Sequence, residues 1–438
     1  MKYPKILIIG QYFNTNSGGG ITLTNLFCGW DKNNIAVAAC DINNPDFSVC
    51  EKFYIIGEQE IKRGFPFNLN PSQTHSRSGI INKNQIREKS ANPYKAKESK
   101  LKQIKDYLLL LTGQIHRRRK LVISKDLLKW IDEFSPDIIY SQLSSHELIR
   151  LVHNLNLQLN IPMVFHLMDD WPITITHSQK SIFRYYWSHT IDKELRQLFS
   201  KAFALMSISE YMSEEYKIRY GLNFIPFHNP IDVRHWTLFE KKNKHSDTFT
   251  ILYAGRIGPG IKHSLSDVAC AINNLTNIGL NIEFHIQATN INNLIIEELV
   301  KYKFIKIKNP VPYNELPKIF AESDLLLLPN DFDKKSISFL KYSMPTKASE
   351  YMASGTPVLV FSSSETALTK HALKYGWGYV VSENSTDKLE AAISKLYKDM
   401  DMRIALGYWA KEFALEHYDS EKIREGFKKA VQNNFQNI

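Results

Sequence analysis

The sequence predicts an α/β protein built from two doubly wound halves, each a parallel sheet with helices on both faces. Three observations predict it. Short continuous apolar runs such as KILIIG (5–10) and DLLLLP (324–329) recur along the chain, the pattern of strands buried on both faces. Stretches of helical length separate them, and that alternation implies parallel strands joined by crossovers. A polar stretch, FEKKNKHSD (239–247), breaks the pattern before it restarts, as an interdomain linker would.

In the first half, KILIIG is the first strand, QYFNTNSGGG (11–20) a loop, and Ile21 to Trp30 a helix. IAVAAC (35–40) is the second strand. After a basic insertion come a helix around 121–134, DIIY (137–140), a helix around 145–158, PMVFH (162–166), a helix around 181–199, AFALMSIS (202–209) and a helix ending at Tyr220. The second half supplies strands at TILYAG (250–255), IEFHIQA (282–288), FIKIK (304–308), DLLLLP, PVLVF (357–361) and GYVV (378–381), then a helical tail from about 402. The expected domains are 1–235, with the insertion at about 60–125, then 248–405, then C-terminal helices over 406–438.

Composition narrows the class. No stretch approaches the roughly 18 apolar residues of a membrane span, and the N-terminus lacks a signal peptide's cleavage region, so the chain reads as cytoplasmic. Cys28, Cys40, Cys50 and Cys270 show no metal spacing; reduced thiols are expected and no metal site. Residues 62–125 hold 16 Lys and Arg against 3 Asp and Glu, while the whole chain carries only +10. Within that insertion Leu101, Ile104, Leu108, Leu111 and Ile115 form an apolar stripe flanked by Lys100, Lys102, Lys105 and HRRRK (116–120). Such a helix suits the inner face of an anionic membrane, which would make the protein peripheral there. The other reading packs the stripe on the domain and leaves the charges solvated. Nucleic acid is not an expected partner, because the charge is confined to one segment and not interleaved with aromatic stacking positions.

The chemistry concentrates in two segments. In TILYAGRIGPGIK (250–262), Arg256 and Lys262 flank a glycine turn at the end of a strand, where open α/β sheets bind ligands and where both cations can neutralise a diphosphate. In PTKASEYMASGTPVL (345–359), Glu350 can accept hydrogen bonds from sugar hydroxyls. Together they predict a nucleotide-sugar pocket. The Gly18-Gly19-Gly20 run joins a strand to a helix, whose N-terminus can hold an anion, or it is simply a tight turn. His166, Asp169, Asp170 and Trp171 follow another strand end, as a catalytic and acceptor-side group or, for Asp170, as a helix cap. DFD (331–333) reads as an ordinary loop.

These motifs, with SISEYM (207–212), HNPID (228–232) and VPYNELPKIFAESDLLLLP (311–329), resemble family 4 glycosyltransferases over nearly the full length. The resemblance implies the GT-B architecture: two Rossmann-like domains facing a cleft, with C-terminal helices crossing back to the first domain. It implies a retaining sugar transfer from a UDP- or GDP-linked donor to a saccharide or lipid-linked acceptor, in cell-surface polysaccharide synthesis, with no metal required. By resemblance, Arg256 and Lys262 bind the diphosphate and Glu350 the ribose, with Lys347 beside it. Ser364, Glu365 and Thr366 offer helix-start amides to the phosphates. Lys308 to Pro312 lie where the base is read, and Gly18, Gly19 and Gly20 border donor and acceptor. Two positions depart from the family. Tyr342 stands where the first glutamate of the E-x7-E pair is expected, and Met168 where a histidine is, so that His166 is the candidate to replace it. These departures keep open a non-catalytic sugar-nucleotide-binding protein or a GT-B-type epimerase.

Overall fold

In the computed structural model the described residues are 3–15, 17–40, 42–63, 76–81, 119–173, 182–239, 247–288 and 294–432. The amphipathic stripe at 101–115 lies outside them. The chain forms two compact units: one runs to His228 and resumes at Arg424, the other is Asn229–Ile423.

The first unit contains strands β1 (Ile6–Ile9), β2 (Ile35–Ala39), β3 (Lys52–Ile55), β4 (Ile61–Arg63), β5 (Gly79–Ile81), β6 (Arg119–Leu121), β7 (Ile138–Ser141), β8 (Met163–Leu167), β9 (Ala204–Ser207) and β10 (Ile225–Pro226). Its main sheet has the order β10-β9-β8-β7-β1-β2-β3-β5. Neighbours are parallel except the β3–β5 pair. Every residue of β1, β2, β7 and β8 is buried, which is why these strands read as unbroken apolar runs. From Arg424 the last helix rejoins this unit: Arg424 Nε donates to Asn25 O at 2.6 Å, and the Phe427 ring packs edge-on against Phe27 at 5.1 Å. That is the return of the C-terminal helices that the fold class implied.

Two local expectations change. The first helix begins at Gly18, not Ile21, with Ser17 capping it through a hydrogen bond from Gly20 N at 3.1 Å. Residues 121–124 are not helical. Leu121 ends β6, which pairs antiparallel with β4, and the helix starts at Lys125 behind the Ser124 cap. The buried Glu60 explains this. Its carboxylate receives Tyr54 OH at 3.0 Å, Gly57 N at 2.9 Å, and the hydroxyls of Ser78 and Ser124, so it ties strands of both small ladders together.

The second unit holds β11 (Phe249–Ala254), β12 (Ile282–Gln287), β13 (Ile305–Lys308), β14 (Leu325–Pro329), β15 (Val358–Phe361) and β16 (Tyr379–Val381) in the order β13-β12-β11-β14-β15-β16. All pairs are parallel. Tyr253, Phe284, Leu327 and Phe361 meet Leu265, Val268 and Ile272 of the helix Lys262–Asn277 in its core. The unit starts earlier than the 248 drawn from the linker, because Trp236 is buried and stacks on Phe320 at 5.4 Å. It ends later than 405, because the helix Met400–His417 packs on the helix Thr346–Ala353. Their approach is backbone to backbone: a Cβ at Gly407 would fall 2.1 Å from Gly355 O. Among the described residues no helix is long and apolar enough to cross a membrane.

Candidate functional site

In each unit the strand order reverses about one strand, β1 in the first and β11 in the second. Open α/β sheets bind ligands beyond the carboxyl end of that strand. The two glycine segments of the sequence lie at these two places.

Beyond β11, the turn at 255–261 leads into the helix Lys262–Asn277. Ile257 is buried and anchors the turn, while Arg256 and Lys262 are exposed. Tyr253 OH holds the turn by donating to Arg256 O at 2.7 Å, and Tyr351 OH binds both Ala254 N (2.9 Å) and Ala254 O (3.3 Å). The helix has no cap from its own preceding residue. Instead Asp331 Oδ1 accepts from Ser264 N at 2.8 Å, leaving Lys262 at the open, positive end of the helix dipole. DFD is therefore spent on helix ends, since Asp333 likewise caps Lys334–Leu340.

Glu350 lies on the helix Thr346–Ala353 and is 5% exposed. Its Oε1 accepts from Tyr313 OH at 3.2 Å. Burial pushes its carboxyl up to about 7, against the hydrogen bond from Tyr313 and the charge of Lys347. Lys347 is half-buried, but protein surrounds its ammonium; that desolvation, helped by Arg256 and opposed by Glu350, brings it down to about 8. Lys347 Nζ donates to Ala254 O at 3.0 Å and sits 4.3 Å from the centre of the Tyr253 ring. Gly255 permits this: its φ is +151°, and a Cβ there would fall 2.3 Å from Lys347 Nζ. Lys347 thus braces the turn that displays Arg256.

The charge states give a pH prediction. Below about 7, Glu350 is protonated and loses acceptor capacity; above about 8, Lys347 loses its charge and with it part of its hold on the turn. Donor kcat/KM is expected to be bell-shaped with its maximum between these values, and Glu350→Gln to flatten the acid limb. An acid limb unchanged in Glu350→Gln would remove Glu350 from this role.

Behind β15, Ser364 and Glu365 are exposed, whereas Thr366 is fully buried. Thr366 caps the helix Ala367–Tyr375 by accepting from Thr369 N, and its own amide donates to Ser363 O at 3.1 Å. The Glu365 amide donates to Ser363 Oγ at 3.3 Å. Of the three amides expected to face phosphate, two are already engaged within the loop.

In the first unit, Gly18, Gly19 and Gly20 form the first turn of their helix. One catalytic candidate, His166, and one acceptor-side candidate, Asp170, are corrected. His166 is fully buried inside β8, its Nδ1 2.8 Å from Tyr140 OH, and burial holds its imidazole down at about 4. It is a neutral core residue and not a catalytic stand-in. Asp170 is also fully buried, bonded to Arg219 by two contacts of 2.8 Å and to Tyr216 OH at 2.9 Å. It anchors the helix Glu210–Tyr220 and is not free to touch an acceptor. Asp169 is exposed, and Trp171 is half-buried with Nε1 donating to Leu143 O at 2.8 Å. Sequence reasoning missed Tyr313, although it lies inside the quoted VPYNELP motif, and it missed Arg219, which no motif marks.

Residues 248–399 match the family model described as glycosyl transferases group 1. No curated protein sequence matches the chain. The structure resembles sucrose-phosphate synthase from Thermosynechococcus elongatus, with TM-score 0.63 and 13% identity, covering 99% of both chains. It resembles HepE from Anabaena in complex with UDP and glucose, with TM-score 0.60 and 13% identity over 98% of this chain and 100% of that one. It also resembles WaaG, a glycosyltransferase involved in lipopolysaccharide biosynthesis, with TM-score 0.56 and 12% identity over 98% and 99%. At such identities these likenesses establish the fold, and the matched family lies over the unit that holds Arg256, Lys262 and Glu350. Residues 248–399 are thus a group 1 glycosyl transferase domain, and the chain is a glycosyltransferase with the GT-B fold.

Proposed function

We propose that this enzyme is a retaining, family 4-type transferase that moves a sugar from a UDP- or GDP-linked donor to a saccharide or lipid-linked acceptor in cell-surface polysaccharide synthesis. One observation carries the reading. Two exposed cations stand on a braced turn at the reversal point of the second sheet, with the buried Glu350 one turn of helix from the lysine that braces it. The donor diphosphate lies on Arg256, Lys262 and the first amides of the helix that Lys262 opens. Glu350 accepts from the ribose hydroxyls. As the sugar leaves, charge builds on the β-phosphate, and pre-placed cations stabilise it without reorganisation. The leaving phosphate takes the acceptor proton, so His166 and Asp170 have no part. Asp169 stays the exposed catalytic candidate of this segment, and Trp171 stays on the acceptor side. The likeness to HepE, which binds UDP and glucose, supports a UDP-linked donor. The likeness to WaaG, with its part in lipopolysaccharide biosynthesis, supports a surface glycan as product.

The test is calorimetric titration with UDP, GDP and ADP, followed by transfer assays in which NMR reads the anomeric configuration of the product. Binding of none of the three would remove the reading, and an inverted product would remove retention. Tyr342 at the first glutamate position favours one second reading, a non-catalytic sugar-nucleotide-binding protein, which would bind donor and turn over none. An epimerase would consume donor with no acceptor present.

The peripheral reading rests on the basic segment 62–125. Flotation with anionic liposomes is expected to recover the protein, and neutral liposomes to recover less, with the difference lost at high salt. Equal recovery from both would remove the electrostatic argument.

A further inference from the structure

The HNPID motif (228–232) opens a segment that is fastened to the helix of Glu350. Asn229 Nδ2 donates to Thr346 O at 3.3 Å and to Ser349 Oγ at 3.4 Å, and Ser349 Oγ donates to Asn229 O at 3.1 Å. Thr346 and Ser349 both lie on the helix Thr346–Ala353. Asp232 then caps the short helix Val233–Trp236, accepting from Arg234 N at 3.1 Å and His235 N at 3.4 Å. Such a cap satisfies amides that the helix itself leaves open, and here it fixes where His235 and Trp236 stand.

Both rings close on Tyr313. His235 lies nearly parallel to it, at 13° and 5.8 Å between ring centres, and Trp236 meets it edge-on at 5.7 Å. Trp236 stacks in turn on Phe320, whose ring meets Tyr351 edge-on at 4.9 Å. Tyr351 follows Glu350 on their helix. Aromatic pairs hold preferred geometries, so this set restricts where Tyr313 can carry its hydroxyl. His235 contributes a ring face, since its buried Nε2 has no hydrogen-bond partner. Tyr313 OH donates to Glu350 Oε1 at 3.2 Å, and among the described residues no other group hydrogen-bonds to that carboxylate.

We infer that Tyr313 and His235 are positioning residues for donor binding: Tyr313 engages Oε1 of Glu350 and leaves Oε2 to accept from a ribose hydroxyl, while His235 holds Tyr313 in place. The inference rests on the donor reading proposed above and adds what orients the carboxylate of that site. The groups acting on Glu350 are Tyr313 through its hydrogen bond, Lys347 through its charge, and Tyr351 as its neighbour, with Arg256 acting on Lys347. A hydrogen bond to a carboxylate favours the charged form. Removing the Tyr313 hydroxyl therefore makes Glu350 take up its proton at higher pH.

The experiment measures dissociation constants of UDP, GDP and their 2′-deoxy analogues across pH on the wild type, Tyr313→Phe, His235→Ala and His235→Phe, with Tm recorded for each. The ratio of the deoxy to the ribo constant isolates the hydroxyl, because the diphosphate contacts cancel. On the wild type this ratio is expected to reach ~10-fold or more at pH ~8, because a site built to bond a hydroxyl rejects the analogue lacking it. It is expected to fall as Glu350 protonates at about 7. Tyr313→Phe keeps the ring and loses one oxygen; its ratio is expected below ~3-fold at pH ~7.5, with the midpoint moved to higher pH. His235→Ala is expected to move both readouts the same way, and His235→Phe to restore them. A wild-type ratio and midpoint in Tyr313→Phe, whatever its Tm, would make Tyr313 a packing residue and overturn the inference while leaving donor binding intact. A wild-type ratio in His235→Ala would remove His235 from the role. Binding of no nucleoside diphosphate to the wild type would overturn the donor reading and this one with it.

Discussion

Replacing Arg256 and Lys262 together by alanine is expected to lower sugar transfer further than either single change does, while leaving Tm unchanged. Both side chains are exposed and neither packs a core, so the fold loses nothing with them. A charge-assisted hydrogen bond contributes about 1.5–3 kcal/mol, which makes each single variant on the order of 10- to 150-fold slower in kcat/KM. The two losses are not expected to multiply fully, because both cations act on one diphosphate. The split between parameters is informative. Loss confined to KM would mean the cations hold the donor equally in ground and transition states; loss in kcat would place them on charge that develops as the sugar leaves. Wild-type kcat/KM in the double variant would end the assignment of this turn as the phosphate site.

Asp170→Ala is expected to be the most damaging single change to stability. Asp170 is fully buried, and Arg219, with 18% of its side chain accessible, depends on it for two of its hydrogen bonds. Removing one partner of a buried pair typically costs about 3–5 kcal/mol, and the lower end is expected here because Arg219 keeps Glu215 Oε1 at 2.8 Å. Tyr216 loses its acceptor at the same time. Urea titration followed by tryptophan fluorescence would register the change as an early transition of the first unit. The same variant separates structure from chemistry. An acceptor-binding aspartate would lower transfer and leave the urea midpoint in place, and that outcome would restore the role the sequence suggested.

The contrast between these two sites shows what the sequence could tell. Arg256 and Lys262 were legible because the turn between them is local: strand, glycines and helix start are consecutive in the chain, and the strand pattern alone fixes where they emerge. The helical place of Glu350 was legible for the same reason. Asp170 and His166 were misread because burial is a tertiary property. FHLMDDWP announces a strand end followed by polar residues, but nothing in it says that Arg219, 49 positions away, turns back to neutralise the carboxylate. Strands β3 to β6 were hidden differently. They are three or four residues long and held by Glu60, whose partners lie as far off as Ser124. Short edge ladders carry too little periodic signal to be seen, and a buried carboxylate looks like a surface one until its donors are known.

The contact between Gly407 and Gly355 bears on how this enzyme could be re-engineered or could diverge. The helix carrying Lys347 and Glu350 ends at Ala353, two residues before a point where another helix touches bare backbone, with a would-be Cβ 2.1 Å from a carbonyl oxygen. Most helix pairs can absorb a substitution by changing rotamers; here no side chain is available to move. Random libraries are therefore expected to keep position 407 as glycine among all functional survivors, although it bears no side chain. Drift at that position would push the helix that carries Lys347 and Glu350 away from its neighbour.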